Sequence, residues 1–375
     1  MNYRERYLET ARFGNPDRAF LVPQWFWNET ILRWQKEGMP ADVHIVHYFG
    51  FDRYEVVPIN LGLVPPFEVE TLEVDEAERT AVIRASDGSI QKIFLDKPEL
   101  SMPLWLDYPI KTREDWEEYK KRLNPKSPCR YPAWWEDYKR SVKDRDYPLG
   151  ISVGSFYGWV RNWMGVERLS YMLYDDPNFI REIDEYIADF VIEVTRKAVE
   201  ELDLDFALFW EDLGMKVGPL ISPKHFREIM LPCYKRVTEF LRKNGIDIIW
   251  VDSDGNNDPI IPLWLEGGVN GIYPLEVAAD QDAIALRKKY GKDLLLMGNI
   301  DKRVLARTKE EIEREVLKKV PWLAMQGGYF PFVDHSVPPD VPLENFQYYL
   351  DLVKQAISDP ERYYHLAKEK GYVEE

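Results

Sequence analysis

The sequence is poor in cysteine and in long apolar runs, and each shortage excludes a class of protein. Its 375 residues include two cysteines, Cys129 and Cys233, too few for a disulfide framework or a four-thiolate metal site. No apolar run approaches the roughly 20 residues that a membrane-spanning helix needs. The N-terminal stretch is charged and lacks the apolar core of a signal peptide. We therefore expect a cytoplasmic protein with no membrane partner.

Basic residues are also fewer than acidic ones. The chain has 49 Lys and Arg against 65 Asp and Glu, a formal net charge of −16. Binding of nucleic acid requires a basic face for the phosphates, so we expect no nucleic-acid partner. The same charge disfavours a polyanionic substrate. Apolar residues make up 45% of the chain, which is enough for a large folded core.

The order of apolar runs predicts an α/β fold, specifically a (β/α)8 TIM barrel. Candidate strands alternate with amphipathic helices, and this alternation favours a parallel sheet covered by helices. Eight such strands are the number that closes a TIM barrel. The eight predicted strands are Phe20–Phe26, Glu55–Asn60, Leu149–Val153, Phe206–Trp210, Ile246–Val251, Val269–Tyr273, Leu294–Met297 and Tyr329–Val333.

Two other stretches differ from the barrel pattern. Residues 67–97 alternate with period two and contain the turn signal Ser86-Asp87-Gly88, which predicts an inserted antiparallel β meander. Residues 111–146 are charged and carry Trp and Pro, which predicts helices packed outside the barrel. We interpret residues 1–375 as a single domain.

Carboxylates follow five consecutive predicted strands. In a TIM barrel the chemistry lies at the C-terminal ends of the strands. Like charges that meet there need a cation, a shared proton or a cationic substrate. The alternative is that these Asp and Asn residues only cap helices and form turns. The strand-end residues are Glu211, Asp212, Asp252, Asp254, Glu276, Asp301 and Asp334, the last followed by His335.

Asp252 and Asp254 are the most specific part of this pattern. Alternate residues of a strand share a face, so both carboxylates can reach one point. With His335 they could form a metal site of two carboxylates and one histidine, suited to Zn²⁺, Fe²⁺ or Mn²⁺. The alternatives are that Asp254 belongs to a simple turn with Gly255 and Asn256, and that His335 is structural.

Other residues are candidates for binding a substrate. Arg161 could hold a substrate carboxylate, or it could pair with one of the strand-end acids. Six aromatic residues could wall a pocket or form a box for a methylammonium group, with core packing as the alternative. They are Trp25, Trp27, Phe156, Tyr157, Trp159 and Trp163.

Six stretches between about residue 150 and residue 350 have a familiar order and spacing. They are SFYGWVRNWMG, YDDPNFI, EDLGMKVGPLISPKHF, DSDGNN, GVNGIYPLEV and DHSVPPDVPLENF. By these stretches the chain resembles the uroporphyrinogen decarboxylase superfamily, which also contains cobalamin-dependent (methylcobamide:thiol) methyltransferases. This resemblance implies a (β/α)8 barrel.

The resemblance to the decarboxylases is weak at their functional positions. Their N-terminal arginine motif corresponds to VPQWFWNET, which has no arginine. Their Asp after strand two falls on Asn60, their active-site Tyr on Arg161 and their Ser on Asp212. Only their C-terminal His is matched, by His335. The resemblance therefore implies that uroporphyrinogen is not the substrate.

The methyltransferases are similar in a different way. Their zinc ligands, a His-x-Cys pair and a later Cys, correspond to Asp252, Asp254 and His335. The positions are kept, but thiolates are replaced by oxygen ligands. Zinc activates a thiol by direct coordination, and an oxygen-rich site would do this less well. The resemblance to these methyltransferases therefore does not imply methylation of a thiol.

We interpret the chain as a divergent methyltransferase-like enzyme. It would use a divalent metal and move a methyl group between a small methylated substrate, or a corrinoid protein partner, and an acceptor. Glu211 or Asp212 would be a base or an extra ligand, and we expect Glu211 on the rim of the cavity at which Asp252, Asp254 and His335 converge. The predicted substrate contacts are Trp25, Trp27, Asn60, Tyr157 and Glu276.

Two alternatives from other classes remain open. The first is a decarboxylase or other lyase, in which Arg161 anchors a carboxylate and His335 or Asp212 protonates the carbanion. The second is a non-catalytic barrel that binds a corrinoid or another tetrapyrrole.

Overall fold

The computed structural model describes residues 1–96 and 102–373. Its strands form from short runs rich in β-branched and aromatic residues. Within the described residues they are β1 Glu55–Val56, β2 Glu70–Asp75, β3 Thr80–Arg84, β4 Ile90–Phe94, β5 Leu104–Asp107, β6 Leu149–Ser152, β7 Phe206–Trp210, β8 Gly214–Met215, β9 Gly218–Pro219, β10 Ile249–Asp252, β11 Gly271–Leu275, β12 Leu295–Ile300 and β13 Tyr329–Val333.

The α-helices of the same residues are α1 Tyr3–Ala11, α2 Asn28–Lys36, α3 Ile45–Phe49, α4 Arg113–Lys120, α5 Trp135–Val142, α6 Tyr157–Met164, α7 Val166–Asp175, α8 Pro177–Glu201, α9 Pro223–His225, α10 Leu231–Lys243, α11 Ile261–Glu266, α12 Ala283–Tyr290, α13 Lys309–Gln326, α14 Leu343–Ser358 and α15 Pro360–Glu369. Several of them begin at a side-chain cap. The Asp176 carboxylate caps α8, and Thr308 and Glu311 form a capping box at α13.

Seven strands of the described chain form one sheet in the order β1-β6-β7-β10-β11-β12-β13. All neighbours in this sheet are parallel. The predicted α/β class and its parallel sheet are therefore confirmed. The C-terminal ends of the strands lie at one edge of the sheet, and we call the space between them the mouth.

The first predicted strand, Phe20–Phe26, does not form a ladder. Phe26 makes an isolated bridge to Val337. The Gln24 side chain accepts a hydrogen bond from the N–H of Val333 at the end of β13. Pro23 has no N–H to donate, which weakens this stretch as a paired strand. The ladder in the described residues thus has seven strands rather than the eight of the predicted closed barrel.

The predicted antiparallel insertion is confirmed, although it is larger than expected. Strands β2, β3, β4 and β5 pair in that order, all antiparallel. Residue 97, at the end of the predicted range 67–97, lies outside the described residues. The fourth strand, β5, was not predicted because a four-residue run between prolines has too little periodicity to be recognised. Within 111–146 the structure has helices α4 and α5.

Buried apolar side chains connect the sheet with the helices that cover it in one hydrophobic core. Among the residues that the structure describes, no helix is both long and apolar enough to cross a membrane.

Candidate functional site at the mouth

Asp254 and His335 form a pair at the mouth. Asp254 lies just after β10 and His335 just after β13, and the His335 Nε2 and Asp254 Oδ2 atoms are 3.2 Å apart. The hydrogen bond from His335 to Asp254 is the main reason that the pKa of His335 is raised, and burial opposes it. Asp254 therefore favours the positively charged imidazolium form of His335.

Asp254 also belongs to the turn with Gly255 and Asn256 that was predicted as the alternative to a role as metal ligand. The backbone at Gly255 has φ +79°, and a Cβ atom there would lie 2.4 Å from the carbonyl carbon of Gly214. The Asn257 amide bonds the Asp254 carbonyl. The turn and the side-chain pair coexist, because the turn uses the backbone and leaves the carboxylate free to meet His335.

Asp252 is the last residue of β10 and has no partner for its carboxyl group among the described residues. Burial, followed by the nearby charges of Asp254 and Asp212, raises the pKa of Asp252 well above its usual value. A buried carboxyl group beside other acids holds its proton, because ionisation would place like charges together in a poorly solvated site. Asp252 therefore keeps its proton to higher pH than an ordinary carboxyl group and is suited to donate it.

Arg161 forms an ion pair with an acid of the mouth, as its alternative interpretation expected. Its Nη1 atom lies 2.9 Å from Asp212 Oδ2 and 2.7 Å from the Asp212 carbonyl oxygen. Its guanidinium also lies over the Trp210 ring, at 5.5 Å from the centroid. Asp212 adopts φ +48°, a costly conformation for a non-glycine residue that this ion pair helps to hold.

Glu276 and Lys302 form a looser pair on the other side of the mouth. The Glu276 carboxylate accepts a hydrogen bond from the Gly255 N–H at 2.9 Å, and the Lys302 ammonium lies 3.5 Å from its other oxygen. Glu276 thus connects the turn after β10 with the loop after β12. The sequence analysis missed Lys302, because a lone Lys after a strand carries no spacing signal.

Glu211 lies away from the mouth surface, contrary to the expected position on its rim. Its side chain is fully buried. It accepts hydrogen bonds from the backbone N–H groups of Phe156, Tyr157 and Gly158 at the start of α6, and from the Ser155 and Tyr234 hydroxyls. Burial raises its pKa, while these bonds oppose the rise. A carboxylate with five donors holds α6 in place and is not free to act as a base.

The predicted substrate contacts separate into two groups. Trp25 and Trp27 flank His335, with ring centroids 6.0 and 6.5 Å from the imidazole. Tyr157 lies close to the Arg161 pair, but it is buried, and burial raises its pKa to about 12. Asn60 is an exposed residue whose side chain accepts the N–H of Gly62 in its own turn. Asn60 therefore has a turn-forming role.

An aromatic cavity of about 50 Å³ lies inside the sheet, beneath the mouth. Trp25, Tyr54, Trp250, Tyr273 and Phe332 are among its walls. Tyr273 pairs in register with Asp252, and the Asp252 charge influences the pKa of both Tyr54 and Tyr273. Asp252 therefore lies close to two of the tyrosines that line the cavity.

The predicted aromatic box is only partly correct, because Trp25 alone of its six residues lines this cavity. Phe156 packs against Phe209 and Tyr234, and Trp163 against Trp116, in the core. The sequence analysis missed Tyr54 and Tyr273. Tyr273 ends a predicted strand and could have been considered, whereas Tyr54 precedes its strand and has no local signal.

The three predicted metal ligands are not equally placed. Asp254 and His335 are close enough to share one ion, but no group of three His, Cys, Asp or Glu side chains in the described part of the chain could hold a metal. Asp252 would also have to lose its proton before it could coordinate. The side chains as arranged do not fit the predicted three-ligand site.

Comparison with known proteins identifies relatives over parts of the chain. A uroporphyrinogen decarboxylase of Legionella pneumophila (strain Corby) is 28% identical over 152 residues, 40% of this chain and 40% of that protein. A uroporphyrinogen decarboxylase of Pseudoalteromonas atlantica is 24% identical over 198 residues, 50% of this chain and 51% of that protein. The chain thus matches about half or less of the length of these curated relatives.

A solved structure, a methyltransferase from Methanosarcina mazei, superposes with a TM-score of 0.61 at 15% sequence identity, covering 95% of this chain and 99% of that one. At this identity the match concerns the fold. The sequence profile of the uroporphyrinogen decarboxylase (URO-D) family matches residues 98–356, more than half of the chain. The resemblance found in the sequence is therefore confirmed, and the chain belongs to the uroporphyrinogen decarboxylase family.

Proposed function

We propose that this protein is an enzyme that transfers a methyl group from a small molecule to a nucleophilic acceptor. The observation that carries the proposal is the position of Asp252. Its carboxyl group has no partner among the described residues, and it lies beside the Asp254–His335 pair and above an aromatic cavity. An acid that can supply a proton, a histidine whose charged form is favoured and an apolar pocket for a small group are what such a transfer requires of the protein.

The reaction would break the bond between the methyl carbon and an oxygen or nitrogen of the donor. The electron pair stays with the heteroatom. An ether oxygen leaves carrying a proton from Asp252, whereas the nitrogen of a methylated ammonium ion leaves as the neutral amine and needs no further proton. The methyl group bonds to the acceptor, for which we propose a reduced corrinoid on a partner protein. The imidazolium of His335, held by Asp254, stabilises the Asp252 carboxylate that remains.

The charges of the mouth argue against uroporphyrinogen, the substrate in the names of the relatives. Arg161, His335 and Lys302 each already face a carboxylate: Asp212, Asp254 and Glu276 respectively. A polycarboxylate would have to displace these acids from their partners. We expect no formation of coproporphyrinogen from uroporphyrinogen, and turnover at an ordinary enzymatic rate would contradict this.

Decarboxylation of a smaller acid is the second candidate, because Arg161 could bind a single carboxylate if Asp212 moved aside.

Three further proposals accompany the first candidate. The stretch 20–26 would complete a closed barrel beside β13, and the protein would act in the cytoplasm. The divalent metal stays a prediction, and no step of the proposed reaction uses it.

A panel of methyl ethers and methylamines, offered with chemically reduced cobalamin as acceptor, tests the proposal. Formation of methylcobalamin would be followed by its absorbance, and we expect Asp252→Asn to lower the rate about 100-fold. Asp144→Asn, at an exposed position, is the matched control and should keep the wild-type rate. Carbon dioxide release from small carboxylates without any methyl transfer would favour the second candidate instead.

A further inference from the structure

The aromatic cavity and Asp252 together define the chemistry of a ligand. Trp250 and Asp252 are alternate residues of β10, so their side chains point to the same side of the sheet. Trp250 lines the cavity, and Asp252 therefore stands one layer above it, towards the mouth. A group that enters the cavity from the mouth can therefore contact this carboxyl group.

The charges of the mouth leave one acid over. Asp212, Asp254 and Glu276 each face a cation. Asp301 pairs with Arg303, and Asp334 accepts the backbone N–H groups of Val277 and Lys302. Asp252 has neither a cation nor a hydrogen-bond donor among the described residues. Asp252 is therefore the acid of the mouth to which a ligand could supply a positive charge or a hydrogen-bond donor.

The walls of the cavity favour a cation over a neutral group. Trp25, Tyr54, Trp250, Tyr273 and Phe332 surround it with aromatic rings. The faces of such rings carry partial negative charge and attract organic ammonium ions. The hydroxyls of Tyr54 and Tyr273 have no partner in the described chain and are available to the same ligand.

The volume limits the size of the ligand. A cavity of about 150 Å³ accommodates benzene, whereas this one measures about 50 Å³. Room therefore exists for two or three non-hydrogen atoms below the level of Asp252.

We propose that the cavity and Asp252 form a binding site for a small methylated ammonium ion, such as methylammonium or dimethylammonium. The methyl groups lie among the aromatic rings, and an N–H group of the ion donates to Asp252, which gives up its proton when the cation binds. The inference deepens the proposed function by naming the substrate class, and it rests on that function only for the fate of the methyl group.

Ligand-detected NMR titration of the whole chain tests the site without any turnover. Dimethylammonium should bind at least tenfold more tightly than ethanol, which has the same number of non-hydrogen atoms and no charge. Tetramethylammonium should bind more weakly than dimethylammonium because it exceeds the cavity. Ethanol binding as tightly as dimethylammonium would overturn the proposal.

Two variants measure separately how much Asp252 and the aromatic rings contribute to the affinity. Asp252→Asn should lower the affinity for dimethylammonium about tenfold, and Trp25→Leu should lower it roughly fivefold. Trp134→Leu, at an exposed position away from the cavity, is the matched control and should leave the affinity unchanged. Wild-type affinity in both cavity variants would also overturn the proposal. If Asp252→Asn fails to fold, the Trp25→Leu result decides.

Failure of this inference can be distinguished from failure of the proposed function. Binding of dimethylammonium without methyl transfer would leave the site standing and contradict the function. Methyl transfer from ethers, with no binding of ammonium ions, would contradict the site and leave the function standing.

Discussion

Glu211 and Asp252 are acids of the same kind at the ends of neighbouring parallel strands, but their surroundings are opposite. Glu211 follows β7 and accepts five hydrogen bonds from α6, Ser155 and Tyr234. Asp252 ends β10 and has no partner for its side chain among the described residues. The difference teaches that a strand-end carboxylate becomes structural when a helix N-terminus supplies donors, and stays available for chemistry when none does.

The largest expected effect is on stability, and it tests the structural role of Glu211 in this comparison. Glu211→Ala should lower the free energy of unfolding by roughly 3–5 kcal/mol, because it leaves buried N–H and hydroxyl donors unpaired. Urea unfolding measures the change. Glu239→Ala, at an exposed position of α10, is the control and should stay within about 0.5 kcal/mol of wild type. An equally small effect at Glu211 would contradict its structural role.

Asp252 should behave in the opposite way when pH is varied. The native state binds the Asp252 proton more tightly than the unfolded chain does, since its pKa is raised. The free energy of unfolding of wild type should therefore fall relative to Asp252→Asn as pH rises above the unfolded pKa of about 4. Urea unfolding of both proteins across pH measures this difference. A difference that does not change with pH would contradict the raised pKa.

The Asp254–His335 pair gives a third case for the comparison, a strand-end acid with a titratable partner. Asp254→Asn removes the charge that raises the His335 pKa, so the imidazole should titrate at lower pH than in wild type. A heteronuclear NMR titration of the ring protons follows it. For the same reason, the stability that the charged form contributes in wild type is present at low pH and is lost as pH rises through the native pKa. An unchanged titration would mean that the two side chains do not interact in solution.

The metal prediction gives the smallest expected effect, because only two of its three ligands are together. If the mouth binds a divalent ion, added Zn²⁺ or Mn²⁺ should raise the melting temperature of wild type, and excess chelator should lower it. Asp254→Ala should abolish both shifts and leave the fold intact. A melting curve of wild type that responds to neither addition would contradict the metal site.

The strands of the sheet could be predicted well because their signals are local. The β7 run Phe206–Trp210 has its predicted bounds, and the acids that follow the strands are at the mouth or just behind it. Phe20–Phe26 was apolar enough to be predicted as a strand, but Pro23 and the side-chain bonds of Gln24 prevent regular pairing. Apolar pattern alone does not report such hydrogen-bond partners.

The roles of the acids were harder to predict. Arg161 had two open interpretations, and the choice depended on whether Asp212 came within reach. Glu211 was expected at the rim, because the sequence gives no sign that Tyr234 and the start of α6 would meet its carboxylate. Tyr54 of the aromatic cavity precedes β1 and had no signal at all.

The sequence by itself determined the α/β class, the inserted meander, the membership of the family and the set of acids that follow the strands. These depend on periodicity, turn residues and motifs that are contiguous in the chain. Only the tertiary structure decided which acid is satisfied, which is paired and which is left alone above the cavity. Those roles depend on hydrogen-bond donors and charges from distant segments, such as His335 for Asp254, and folding alone brings them within a few ångströms.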